Sequence, residues 1–331
     1  MKDDKQIIIL ELTSLCNSRC PDCLRVERKE ENYTVKYEDF KIMIKEIKEF
    51  SKNFKNFEVK LSGGEPTLWK DGDKDIIDLI KLCEKEKLHW ALVTNGKKLS
   101  FPNYAKEFFE KLKDIKNITI YVTLHFFHKN CDKLDNVILD NILEYSNNVS
   151  LYVQSTLTTK KENNVVLPIV YKYAERGVKF LLNPLLPWGR AKNLDQDIVP
   201  YLDLNSNNKS SLGDFEMYYY ILGKSKNVWD TYDEYLNYNN FDAIKSLNSC
   251  GKTITFLKGN YYYCMPCSGM KEFAFSKIGE LDYKKYLEFV KNNEYVNDMK
   301  NNKFDKYKIP KNCSIGYGIC GLCRYIKENE K

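Results

Sequence analysis

The chain has 331 residues, and its 43% hydrophobic content is enough for one large domain, or for a large and a small domain, with a sizeable core. No apolar run is long enough to span a membrane and no signal peptide is predicted, so we expect a cytoplasmic protein without a membrane partner. The net charge of +6 is spread over many Lys and Glu residues without a dense basic block, and a nucleic-acid partner is therefore not expected.

Short β-rich runs and amphipathic helical segments alternate over the first half of the chain. Strands are predicted at residues 7–12, 57–61, 89–94, 118–124, 150–156 and 178–182. The segments between them have helical spacing, and the first of these has apolar residues at Phe40, Met43, Ile44, Ile47 and Phe50. Strands that alternate with helices predict a parallel sheet with helices outside it, either doubly wound or closing as a barrel.

The alternation ends near residue 190, and the chain then changes character. Residues 191–249 are rich in Asn, Ser, Tyr and Asp and are predicted to form an irregular linker. The stretch "KTITFLKGNYYYC" predicts a β-hairpin, with Gly259 and Asn260 in the turn. A second, smaller domain is predicted for residues 250–331.

Eleven cysteines in a chain expected to be cytoplasmic indicate metal binding or redox chemistry, because that compartment keeps thiols reduced. Nine of them form two groups, one at residues 16–23 and one at residues 250–323. The isolated Cys83 and Cys131 are expected to be small buried apolar side chains.

The first group, in "CNSRCPDC", places Cys16, Cys20 and Cys23 on a loop directly after the first predicted strand. This spacing lets one loop bind three corners of an iron-sulfur cluster and leaves the fourth corner without a protein ligand. Structural zinc is the alternative, but it usually closes all four positions with paired CxxC ligands.

The CxxxCxxC spacing after the first strand of a βα series resembles the radical S-adenosylmethionine (radical SAM) superfamily. The resemblance implies a partial (β/α)6 TIM-like barrel over residues 1–190. It implies a [4Fe-4S] cluster held by Cys16, Cys20 and Cys23, whose open iron binds SAM. Reductive cleavage of SAM would then produce a 5'-deoxyadenosyl radical that abstracts a hydrogen atom from the substrate.

Further motifs match the same family at the predicted strand ends. The resemblance implies that "SGGEPTL" receives the amino group of SAM, since two glycines let the backbone approach a ligand and acceptor oxygens bind an ammonium group. "VTNG", "YVTLH" and "PWGRA" follow later strands. The SAM-binding residues implied in this way are Gly63, Gly64, Glu65, Asn95, Thr123 and Arg190.

The second group of cysteines resembles the SPASM or twitch domains that carry auxiliary [4Fe-4S] clusters in this superfamily. The resemblance implies one auxiliary cluster, bound by Cys250, Cys264, Cys320 and Cys323. Cys267 and Cys313 are left over: they are alternative ligands, part of a second cluster, or free thiols that take part in catalysis. Zinc is the alternative for the whole group.

The resemblance implies an oxidoreductase or maturase, with post-translational modification of a peptide or protein as the leading hypothesis. The modification would be a thioether or carbon-carbon crosslink, an epimerisation or an oxidation. A small-molecule dehydrogenase or a molybdopterin-type cyclase is the alternative, and a non-catalytic zinc or iron-sulfur module is an alternative of another class. The expected partners are the substrate and an electron donor such as flavodoxin or ferredoxin.

Overall fold

The computed structural model describes residues 5–20, 23, 32–123, 131–157, 169, 172–173, 176–184, 253–263, 269–294 and 296–297. All six strands predicted in the first half of the chain are present. Among the described residues the strands are β1 Lys5–Glu11, β2 Asn56–Ser62, β3 Lys70–Asp71, β4 Lys74–Asp75, β5 Trp90–Thr94, β6 Ile118–Thr123, β7 Val149–Leu157, β8 Lys179–Pro184, β9 Thr253–Leu257, β10 Asn260–Tyr262 and β11 Ala274–Lys277.

The described helices are α1 Tyr37–Ser51, α2 Ile76–Lys85, α3 Pro102–Lys111, α4 Cys131–Tyr145 and α5 Tyr283–Asn292. In α1 the apolar residues at helical spacing are all buried, as predicted. Asp75 begins α2 with a capping box, in which its side chain accepts from the Ile77 amide and the Asp78 side chain accepts from the Asp75 amide. Cys83 in α2 is fully buried, which confirms its predicted role as a packed side chain, and burial raises the pKa of its thiol.

The chain divides into two compact units. The first, here called the β1 unit, comprises Met1–Cys16, Arg28–Leu92 and Asn240–Lys331. The second, here called the β6 unit, comprises Asn17–Glu27 and Val93–Asn239. β5 begins in the β1 unit and ends in the β6 unit.

In the β1 unit, β1 lies between two parallel neighbours. Ile8 of β1 is opposite Val59 of β2 on one side and opposite Ile254 of β9 on the other. β2 also pairs in parallel with β5. β9, β10 and β11 continue the sheet as antiparallel neighbours, so the C-terminal hairpin extends the sheet that β1 begins.

The predicted hairpin is confirmed, but its turn lies one residue earlier than predicted. Lys258 and Gly259 form the turn, with φ angles of 48° and 83°. Asn260 is already paired with Leu257 across the hairpin. A two-residue hairpin turn of type I′ has positive φ at both central residues, and here a lysine occupies the first of these positions.

An aromatic cluster, formed by Phe50, Phe54, Phe57, Tyr283 and Tyr286, attaches α5 to α1 and β2 within the β1 unit. The Phe50 ring meets Tyr283 and Tyr286 edge to face, with centroids 5.8 and 5.7 Å apart. A polar contact lies near it, because the Leu281 amide donates to Oε1 of Glu46 in α1 at 2.9 Å. Burial raises the pKa of Glu46, although the Leu281 and Gly279 amides and the Tyr261 hydroxyl act in the opposite direction.

In the β6 unit, β6, β7 and β8 are parallel. The rings of Tyr121 in β6 and Tyr152 in β7 stack with centroids 4.8 Å apart. The buried amide of Asn141 in α4 donates to the Leu99 carbonyl at 2.8 Å, which ties α4 to the 3-10 turn Lys97–Ser100 that follows β5.

The strand pairs of both units are mostly parallel and are accompanied by helices, which is the α/β class that the sequence predicts. The partial barrel, the linker at residues 191–249 and the separate C-terminal domain stay predictions. Among the described helices, none combines the length and apolar character that crossing a membrane requires.

Candidate active site

The loop after β1 carries the three cysteines of the first group. Cys16, Cys20 and Cys23 are half-buried, and none of them is in a disulfide bond. The Cys23 amide donates to the Cys20 carbonyl at 3.3 Å, which brings these two cysteines together. Within the described part of the chain, no three His, Cys, Asp or Glu side chains converge on a single metal ion. An iron-sulfur cluster places its thiolate ligands on separate irons.

The start of this loop is held by backbone hydrogen bonds within the β1 unit. Thr13 forms an antiparallel bridge with Thr34, and the Ser14 amide donates to the Tyr33 carbonyl at 3.0 Å. The Tyr33 hydroxyl in turn donates to the Glu11 carbonyl at the end of β1. Residues that come before and after the three cysteines in the chain therefore fasten the loop to β1.

The two glycines of "SGGEPTL" pack against the beginning of the same loop. The Gly64 amide donates to the Thr13 carbonyl at 2.6 Å, and the Glu65 amide donates to the Leu15 carbonyl at 2.7 Å. A Cβ atom on Gly64 would lie 2.2 Å from the Leu15 carbonyl oxygen, and one on Gly63 would lie 2.6 Å from the Thr13 oxygen. Glycine is required here because the backbone of the cysteine loop approaches so closely, a contact that the sequence did not predict.

The Glu65 carboxylate is buried at the same place. Its Oε1 atom accepts hydrogen bonds from the Thr67 amide at 3.1 Å and from the Thr67 hydroxyl at 2.6 Å. These bonds begin the 3-10 turn Pro66–Leu68, so Glu65 shapes the chain after β2.

Asn95 follows β5 in a turn within the β6 unit, and Thr123 is the last residue of β6. The Asn95 side chain donates to Oδ1 of Asn17 at 2.8 Å and accepts from the Lys97 amide at 3.0 Å. Thr123 is half-buried and lies opposite Gln154 of β7. Each of these two predicted SAM-binding residues therefore lies at the carboxyl end of a parallel strand.

The other predicted site residues lie outside the described residues. These are the predicted SAM-binding Arg190, the auxiliary-cluster ligands and the two remaining cysteines, namely Cys250, Cys264, Cys320, Cys323, Cys267 and Cys313. The hairpin between Cys250 and Cys264 is described, and it pairs with β1.

One side of the sheet in the β1 unit is polar, and the sequence reasoning missed it. Phe57 contacts the Phe50 ring of α1, with centroids 6.2 Å apart, so alternate residues of β2 face the helix. The residues that point to the opposite side of β2 are Glu58, Lys60 and Ser62. The alternation in "FEVKLS" is the signal that could have revealed this polar side.

The register places Ile7, Ile9 and Glu11 of β1 on the same side, together with Thr253 and Thr255 of β9. Ser62 lies beside Glu11, and Lys60 lies beside Ile9, which is opposite Thr255 of β9. Glu58 and Glu11 are 1% and 3% exposed, and the fully buried Thr255 hydroxyl has no hydrogen-bond partner among the described residues. Polar side chains are seldom buried together on one side of a sheet, so this side is a candidate binding surface.

A family model described as "Radical SAM superfamily" matches residues 10–183, which is more than half of the chain. The chain belongs to the radical SAM superfamily. Membership implies an enzyme with a SAM-binding [4Fe-4S] cluster and SAM itself.

A solved structure of a hexahistidine-tagged protein, "anSMEcpe with bound AdoMet", is similar to this chain, with a TM-score of 0.50 and 15% sequence identity. The match covers 98% of this chain and 95% of that chain. At this identity the likeness shows the fold. No curated protein matches the chain.

Proposed function

We propose that the protein is an enzyme that cleaves SAM reductively and abstracts a hydrogen atom from a peptide or protein substrate. The observation that carries the proposal is the loop after β1, with three cysteines outside disulfide bonds and its start packed against Gly63 and Gly64. Three thiols on one anchored loop fit a [4Fe-4S] cluster with an open corner. When bound, this cluster supplies the electron that splits SAM into methionine and a 5'-deoxyadenosyl radical.

The residues of this chain would bind and orient these groups. Cys16, Cys20 and Cys23 would hold the cluster as thiolates. Gly63, Gly64, Glu65, Asn95, Thr123 and Arg190 are the proposed contacts of SAM. The location of Glu65, Asn95 and Thr123 after or at the ends of β2, β5 and β6 supports this, because such folds bind ligands at the carboxyl ends of their strands.

The role in peptide or protein modification rests on the resemblance of the C-terminal cysteines to SPASM and twitch domains. Cys250, Cys264, Cys320 and Cys323 are the proposed ligands of one auxiliary [4Fe-4S] cluster. Cys267 and Cys313 stay candidates for ligands or for catalytic thiols. A flavodoxin or a ferredoxin is the proposed electron donor.

The polar side of the sheet, formed by Glu11, Glu58, Lys60, Ser62 and Thr255, supports a polar substrate. Peptides carry many amide groups, and such a surface offers both donors and acceptors to them. The same surface also favours a charged small molecule, so a small-molecule dehydrogenase is the second candidate.

Anaerobic reconstitution tests the proposed activity. The reduced protein should bind about eight irons, at about four per cluster, and form 5'-deoxyadenosine from SAM with dithionite. The triple variant Cys16→Ala, Cys20→Ala, Cys23→Ala should lose about four irons and all 5'-deoxyadenosine formation. Cys83→Ala, which removes a thiol in the buried core of α2, is the matched control and should retain both. Wild-type protein that binds zinc and forms no 5'-deoxyadenosine would contradict the proposal.

The substrate class needs a separate experiment. Peptide and small-metabolite fractions from cells that make the protein are added to the reconstituted enzyme, and 5'-deoxyadenosine formation is compared with the rate without substrate. Stimulation by the peptide fraction that is abolished by prior protease treatment supports peptide modification. Stimulation confined to the small-metabolite fraction supports the second candidate instead.

A further inference from the structure

The turn after β5 holds the residue that directly follows the first cluster cysteine. Nδ2 of Asn95 donates to Oδ1 of Asn17 at 2.8 Å, and Nζ of Lys97 lies 3.4 Å from the Asn17 carbonyl oxygen. Both the side chain and the backbone of Asn17 therefore receive a hydrogen bond from the same turn. Asn17 and this turn belong to the same compact unit.

The orientation of the Asn95 amide is determined by the turn itself. Its Oδ1 atom accepts from the Lys97 amide at 3.0 Å, so its NH2 group is left to face Asn17. The turn is further closed by the Gly96 amide, which donates to Oγ1 of Thr94 at 2.9 Å.

Gly96 keeps this turn in place against α4. Its φ angle is 69°, and a Cβ atom would lie 2.7 Å from Cγ2 of Ile138, so a glycine is required both by conformation and by space. The Asn95 donor therefore comes from a turn that packs against α4, and it faces a loop whose residue Asn17 is exposed.

We propose that Asn95 and Lys97 are positioning residues for the SAM-binding cluster, a role that rests on the proposed function. They act through Asn17: the Asn95 amide holds the cysteine loop, and the Lys97 ammonium adds positive charge beside it. Reduction potentials of iron-sulfur clusters depend on nearby charge and hydrogen bonding, and a cation favours the reduced, more negative cluster. Partners that orient metal ligands also strengthen metal binding.

The experiment uses the full-length reconstituted protein and follows the EPR signal that changes when SAM is added. Lys97→Met should shift the midpoint potential of this cluster to a more negative value, and Lys97→Arg should restore it. Lys98→Met is the matched control, because it removes the same charge one residue along the chain, where Lys98 lies over the Tyr104 ring at 4.2 Å. The midpoint potential of the cluster in Lys98→Met should equal that of the wild type.

Asn95→Asp removes the donor to Asn17 and keeps an acceptor for the Lys97 amide but adds a negative charge, whereas Asn95→Ala removes both groups without adding a charge, so the two variants are compared. Without SAM present, Asn95→Asp and Asn95→Ala should lose the SAM-sensitive cluster to an iron chelator at least about tenfold faster than the wild type. Thermal unfolding of each variant is measured in parallel with cluster loss. The melting temperature should change little, because Asn17 is exposed.

Two results would overturn the inference. The first is an unchanged potential in Lys97→Met together with unchanged cluster loss in both Asn95 variants. The second is a weaker affinity for SAM in the Asn95 variants with normal cluster retention, because Asn95 would then contact SAM without positioning the loop. If the wild-type protein forms no SAM-sensitive cluster at all, the proposed function itself fails, and this result is distinct from the other two.

Discussion

The two sides of the sheet in the β1 unit differ in chemistry although the same strands form both. On β2, Phe57, Val59 and Leu61 face α1 and the aromatic cluster, whereas Glu58 and Lys60 point to the opposite side. Apolar burial contributes about 25 cal/mol per Å² to stability, whereas a buried charge lowers stability unless it is well paired. The comparison indicates that the helix side stabilises the fold, and we expect the polar side to serve binding.

The largest effect is expected from a change on the helix side. Phe50→Ala removes a ring that is 2% exposed and that contacts four other rings of the aromatic cluster. The free energy of unfolding should fall by about 3–5 kcal/mol, because the transfer of the ring from water is lost and a cavity is left. Urea denaturation measures the change.

The control for this change is Phe101→Ala, which removes the same ring from a site where it is 66% exposed. Phe101→Ala should change the free energy of unfolding by no more than about 0.5 kcal/mol. If Phe50→Ala lowered the free energy of unfolding by no more than Phe101→Ala does, the helix side would not be the part of the sheet that stabilises the fold.

Gly64→Ala tests the end of β2, where the cysteine loop packs. The added Cβ would lie 2.2 Å from the Leu15 carbonyl oxygen, so the loop must move away. Iron bound by the first cluster, counted after reconstitution, should fall to a small fraction of the wild-type amount. Gly72→Ala is the control, since its φ angle of 62° strains an alanine but nothing lies within 4 Å of the added Cβ. If Gly72→Ala also lost iron, the iron loss in Gly64→Ala would reflect general instability and would not show that the cysteine loop had moved.

On the polar side, Glu58→Gln and Lys60→Met keep approximate side-chain size and remove the ionisable group. The substrate concentration needed for half-maximal stimulation of 5'-deoxyadenosine formation should rise at least about tenfold, which is about 1.4 kcal/mol. Formation without substrate should stay at the wild-type rate, because these residues are not among the proposed contacts of SAM.

The exposed pair on α1, Glu38→Gln and Lys41→Met, is the matched control for the polar side, and it should leave stimulation unchanged. If Glu58→Gln and Lys60→Met lowered stability as much as Phe50→Ala and left stimulation intact, the polar side would be structural.

The smallest effect concerns the pH dependence of stability at Glu46. Because burial raises the pKa of Glu46 in the folded protein above its ordinary value of 4.5, the folded state retains the proton when the unfolded chain has already lost it. Stability should therefore fall, relative to Glu46→Gln, as the pH rises above 4.5 through the folded pKa. Melting temperatures of both proteins across this range measure the difference.

An opposite slope is expected at Glu107, whose pKa is lowered by its hydrogen bond to Lys111. The stability of the wild type relative to Glu107→Gln should rise with pH as this carboxyl loses its proton. Equal slopes at the two glutamates would show that burial of Glu46 has no effect on its protonation.

Much of the secondary structure could be predicted because its signals are local. The three consecutive isoleucines of β1 predict a buried strand, and the apolar spacing from Phe40 to Phe50 predicts the helix that forms there. The hairpin turn was placed one residue late because Lys258 adopts a positive φ that few lysines adopt. The cysteine loop could be predicted from spacing alone, since its three cysteines are close in sequence.

The order of strands and helices, the cysteine loop and membership of the radical SAM superfamily can all be inferred from the amino-acid sequence. Three contacts exist in the folded chain alone: Ile7 pairs with Thr253, the Leu15 carbonyl excludes a side chain at Gly64, and Asn95 donates a hydrogen bond to Asn17. Propensity and periodicity act over a few residues, whereas these contacts join residues that are far apart along the chain. They depend on strand register and packing, which no local stretch of sequence specifies.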